Sequence, residues 1–156
     1  MNRYLSRGDA PIDGATWNIL DATMVEAAKS ILSGRRLLHL EGPFGLGLKA
    51  IPMTDRRDQE GLIVSSFVPL PEIHATFALG KRDLAAYERD RLLLDTAPVV
   101  QAALDVARRE DNLIFHGGGG VTGLLNTQGS SSIQLSRWDT VGDAVDDIIR
   151  GVTRLD

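Results

Sequence analysis

The sequence predicts an α+β fold with a single hydrophobic core. Three observations carry this: helical apolar spacing near both ends, a pair of apolar extended runs joined by a polar tip, and glycine- and proline-rich breaks between them. With 156 residues and 43% hydrophobic content, the chain can fill one core of ordinary size and hardly two.

The elements follow in order. Residues 13–32 place Trp17, Leu20, Met24, Ala28 and Ile31 at steps of three or four, one face of a helix, with Asp13 as N-cap and Gly34 as stop. Residues 36–40 are predicted as a short strand that breaks at Gly42-Pro43. The apolar runs 46–53 and 62–70 enclose the polar segment TDRRDQEG at 54–61, the pattern of a long hairpin arm with a solvated tip. Pro69 and Pro71 interrupt the return strand, because proline cannot donate to a ladder, and residues 73–79 resume it. Helices are predicted over 81–90 and 97–110, the second closed by Leu113, Ile114 and Phe115. A glycine run at 117–120, a turn over 121–126, a polar strand over 131–135 and a helix over 140–155 complete the chain. The last helix has Val141, Ala144, Val145, Ile148, Ile149 and Val152 as its apolar stripe.

Composition excludes several function classes. The net charge of -4 provides no basic field for nucleic acid or an anionic membrane. The absence of cysteine removes disulfides, thiolate metal sites and cysteine nucleophiles, and fits a cytoplasmic protein. The basic N-terminal residues are not followed by an apolar segment of signal-peptide type.

No motif commits the chain to catalysis. His116 followed by three glycines matches the oxyanion loop of some esterases, but no Gly-x-Ser-x-Gly elbow accompanies it. Gly42-Pro43-Phe44-Gly45-Leu46-Gly47 lacks the Gly-Lys-Ser/Thr ending of a phosphate loop. His39, His74 and His116 stand apart from one another, so no metal site is expected. Asp139, Asp143, Asp146 and Asp147 lack a calcium-loop pattern and are expected as helix-start charge and a solvated face.

Four segments in register resemble the encapsulin (linocin-like) family: RGDAPIDGATWNIL at 7–20, GRRLLHLEGPFG at 34–45, PLPEIHATFALG at 69–80 and REDNLIFHGGGGVTGLLN at 109–126. The resemblance implies the tailed-phage major capsid protein fold. On that fold, 1–45 would hold the N-terminal helix and the start of the peripheral domain, 46–73 the extended loop, 74–120 the spine-helix region of the peripheral domain, and 121–156 the start of the axial domain. It further implies a non-enzymatic shell protein, self-assembling into an icosahedral cytoplasmic nanocompartment around a cargo enzyme such as a peroxidase or ferritin-like protein.

The family holds its cargo through a C-terminal targeting peptide in a groove on the inner face. Carried over by position, that groove would include Leu20, Met24, Ala28, Arg35 and His39, with apolar peptide side chains on the helix and Arg35 on a peptide oxygen; plain core is the other reading of Leu20 and Met24. His39 departs from an acidic residue, and Ala28 from a larger side chain, common in the family. Flavin-binding members carry an aromatic residue where this chain has Arg82, with Tyr87 the nearest substitute, so no cofactor is expected. Family members continue beyond the equivalent of Asp156, and the expectation is a partial subunit, its C-terminal half supplied by a second polypeptide or the chain itself clipped or split by design, with the pieces co-assembling. Two alternatives are a phage or prophage capsid fragment, which would package DNA, and a small hydrolase built on the His116 loop.

Overall fold

The computed structural model describes residues 6–155. Helix α1 (Gly14–Ile31) begins as predicted: Asp13 Oδ1 accepts the Thr16 backbone N–H at 2.6 Å and satisfies one of the free amides of the first turn. That backbone bond is the first cause holding the Asp13 carboxyl below the usual carboxylate range. Arg7 forks onto Asp21 at 2.6 and 2.7 Å and lies over the Trp17 ring, tying the preceding 3-10 turn (Arg7–Asp9) down onto this helix.

Where a strand was expected over 36–40, the chain makes one helical turn, α2 (Gly34–Leu37). Gly34 therefore starts a helix and does not stop α1. The cause is a distant carboxylate. Asp111 accepts the backbone N–H of Ser33 and of Gly34 and the Ser33 hydroxyl, between 2.5 and 3.0 Å, and so caps the turn. Gly34 also sits against Ile114, whose Cδ1 would lie 2.7 Å from an added Cβ. Burial pushes the Asp111 carboxyl up, and the bonds from Ser33 and Gly34 together with the nearby Arg36 charge outweigh it, for a net lowering.

Strands β1 (Ala50–Pro52), β2 (Arg56–Arg57), β3 (Ile63–Val64) and β4 (Phe67–Pro69) form the predicted hairpin arm. β1 pairs antiparallel with β4, Ala50 opposite Pro69, and β2 with β3, Arg56 opposite Val64. At the tip, Asp58 Oδ1 accepts the N–H groups of Glu60 and Leu62. The arm has no core: Ile51, Met53, Leu62, Ile63, Val64 and Phe67 are all exposed. The strand expected over 73–79 does not form, since among the described residues no strand lies beside it. The segment is held instead through its His74 carbonyl, which accepts from the Arg109 guanidinium at 2.9 Å.

Helix α3 (Lys81–Asp90) has its predicted bounds, and α4 (Ala97–His116) runs past residue 110. Leu113, Ile114 and Phe115 extend the helix because their half-buried side chains continue its packing. The core lies where α1, α3 and the start of α4 meet: Leu20, Leu84, Leu94 and Val99, flanked by Ile12, Trp17, Met24, Leu79 and Tyr87.

A glycine hairpin follows, β5 (Gly117–Gly118) paired with β6 (Val121–Thr122), then a 3-10 turn over Leu124–Asn126. The strand expected over 131–135 is absent from the structure, and the last helix, α5, is shorter than predicted at Asp143–Thr153. Its polarity corrects the sequence reading. Val145, Ile148, Ile149 and Val152 are exposed, whereas Asp147, expected on a solvated face, is 1% exposed. Asp147 accepts from Ser136 N–H at 2.7 Å, Ser136 Oγ at 3.0 Å, Trp138 Nε1 at 2.8 Å and the Arg150 guanidinium. It anchors the irregular 136–138 segment to α5, a buried charge kept because every bond is made. Helix and sheet are thus mixed as predicted, with the described strands all in two-stranded ribbons. No helix among the described residues is long and apolar enough to cross a membrane.

Candidate functional site

An apolar groove of about 260 Å³ runs between α1 and α4. Met24, Val25 and Ala28 form one wall, Ala102, Ala103 and Val106 the other, and Ala75 and Phe77 close an end. Helical spacing creates the first wall, since residues three and four apart share a face. Small residues create the depth: four of the lining side chains are alanine. The lining includes no charged side chain. Such a groove accepts bulky apolar side chains of an extended segment, each stabilised by about 1.5–3 kcal/mol if fully buried.

The structure divides the five sequence-predicted groove residues. Met24 and Ala28 line the groove. Leu20, one turn earlier, turns into the core at 0% exposure. Arg35 is already engaged: its Nε and Nη2 donate to the Glu110 carboxylate at 2.5 and 2.9 Å, and that bond raises the guanidinium pKa. His39 is exposed in an irregular segment away from the groove lining. Sequence reasoning missed Val25, Ala75, Phe77 and the α4 wall. The adjacent pair Ala102 and Ala103, between Val99-Val100 and Leu104, was the available signal.

A second concavity of about 300 Å³ lies beside the glycine hairpin, among Pro71, His74, Arg109 and Asn112. His116 is not part of its lining, and its carbonyl accepts from Asn126 Nδ2 at 2.7 Å. Among the described residues the His116 ring has no hydrogen-bond partner to act with it as a nucleophile or an orienting acid. No group of three or more potential metal ligands occurs among the described residues. Tyr87, the nearest aromatic to Arg82 on α3, packs against the core and lies under Arg91.

A family model described as an encapsulating protein for peroxidase, Linocin_M18, matches residues 1–156. The chain belongs to the encapsulin family. Among curated encapsulin relatives, the type 1 encapsulin shell protein EncA of Myxococcus xanthus is 28% identical over 99% of this chain and 60% of its own length. The type 1 encapsulin shell protein of Rhodococcus erythropolis is 31% identical over 72% of this chain and 45% of its own length. That of Brevibacterium linens is 28% identical over 97% and 59%. The chain spans about half the length of the curated encapsulins it matches. The four segments that resembled encapsulins in the sequence lie inside the matched region.

Proposed function

We propose that this encapsulin-family chain is a shell protein that assembles with copies of itself into a closed icosahedral compartment and holds a cargo enzyme against the inner wall. The hairpin arm carries the reading. Its apolar residues on both strands are exposed, with little to cover them inside the chain, so another subunit is the natural cover. The arrangement suits the tailed-phage capsid fold, with 46–73 as the extended loop, 74–120 as the spine-helix region, and 121–156 as the start of the axial domain.

The α1–α4 groove is the proposed seat of a C-terminal targeting peptide on a peroxidase or ferritin-like cargo. The relatives' family description as an encapsulating protein for peroxidase supports that cargo class. Met24 and Ala28 would contact the peptide, while Arg35 would reach it only by leaving Glu110. Each contact is weak alone, and a cargo with several tails gains from many grooves on one wall. The shell reading places the compartment in the cytoplasm.

The test is particle formation. Electron microscopy and sedimentation of the purified protein are expected to show closed particles, and replacing 54–64 with a short glycine linker is expected to abolish them while the helical circular dichroism is kept. Particles of unchanged size without the arm would overturn the proposal.

A further inference from the structure

The base of the arm rests on the glycine hairpin. Gly119 and Gly120 are the two central residues of the β5–β6 turn, at φ 57° and 85°, the left-handed backbone that a two-residue turn of this type requires. An added Cβ would meet the arm in both cases: Pro71 Cβ at 3.4 Å from position 119, and Pro69 Cγ at 3.1 Å from position 120. Those prolines belong to the return side of the arm, where Pro69 pairs with Ala50 and Leu70 N–H donates to the Lys49 carbonyl. The hairpin itself leaves the end of α4 directly at Gly117. A chain of contacts thus joins the spine helix to the arm through two residues without side chains.

We propose that Gly119 and Gly120 form a positioning seat that fixes the angle of the arm to the spine helix α4. Turn geometry alone requires glycine-like backbone at these positions, but it does not require the arm's prolines to close over them. The seat makes use of that missing bulk. Because the arm has no core, its direction is set at its base. Moving Pro69 by about 0.5 Å across a strand spacing of about 4.8 Å tilts the ribbon by about 6° and carries a tip about 26 Å away by about 3 Å. A short contact at the base is therefore read out as a large displacement at the tip, where a neighbouring subunit would be met. The inference goes beyond the shell reading and does not require it.

Pulsed electron spin resonance on the chain tests it. With no native cysteine, labels at Gln59→Cys on the tip and Gln101→Cys on α4 report one distance. Gly120→Asn adds a Cβ while asparagine still tolerates left-handed backbone; the mean distance is expected to shift by about 3 Å. Adding Pro69→Ala, which removes the contacted Cγ, is expected to return it to the wild-type value. Gly120→Ala with the same rescue repeats the test with the smallest side chain. An unshifted distance in both variants, or a shift that persists after Pro69→Ala, overturns the seat.

Discussion

Leu20→Ala separates the core from the groove on α1. Leu20 has 0% exposure and packs with Leu84, Leu94 and Val99, although its spacing places it in line with Met24 and Ala28. Truncation removes three carbons, about 2.4 kcal/mol of transfer free energy at about 0.8 per methylene. The space left between three rigid helices adds about 1 to 2 kcal/mol. The expected loss is about 3 to 4 kcal/mol. With an m-value of about 2 kcal/mol/M in urea, the unfolding midpoint falls by about 1.5 to 2 M. If the variant is too unstable to measure, Leu20→Val, expected to cost about 1 kcal/mol, takes its place. In contrast, Ala28→Leu should change stability by no more than about 1 kcal/mol, because the groove is open, while abolishing capture of a cargo-tail peptide measured by fluorescence anisotropy. A midpoint shift for Leu20→Ala below about 0.5 M, with lost peptide capture, would put Leu20 in the groove and refute the core assignment.

Other outcomes follow from the same geometry. Asp147→Asn weakens the buried anchor by about 1 to 3 kcal/mol, so trypsin should cut at Arg137 faster than in the wild type while the α1–α4 body stays intact by mass spectrometry. Arg35→Ala should change stability by less than about 1 kcal/mol in urea melts, as the pair with Glu110 is half exposed. Asp21 and Asp111 are held below the ordinary carboxylate value of about 3.9, so their stabilisation is complete above it and is lost as pH falls through the lowered values. Melting temperature should therefore drop as pH falls below about 4, and less steeply in Asp111→Asn. Ester hydrolysis by the purified protein should equal the buffer blank, with His116→Ala indistinguishable from the wild type in a nitrophenyl-ester assay.

Local rules made much of the fold legible. The Asp13 cap, the bounds of α3 and the start of α4 each depend on residues within a few positions of one another, and the arm with its polar tip pairs residues no more than 19 apart; each stands where the pattern put it. The misses share a different cause. Residues 34–37 form a helical turn because Asp111, 77 residues beyond Gly34, caps them. Residues 73–79 and 131–135 have strand-like sequence, but a strand also needs a neighbour to pair with, and no described strand pairs with either segment.

The candidate groove divides along the same line. Period and residue type were enough to put Leu20, Met24 and Ala28 on one helix face, the family resemblance alone marked that face as a peptide groove, and four ordered segments were enough to name the family. They could not say that Leu20, on nearly the same face, would be covered by Leu84, Leu94 and Val99, that Arg35 would spend its guanidinium on Glu110, or that Asp147 would turn inward. Each of those outcomes depends on which distant element arrives opposite the side chain. Periodicity describes one helix, whereas burial is a property of two surfaces in contact, and only the tertiary structure brings the second surface.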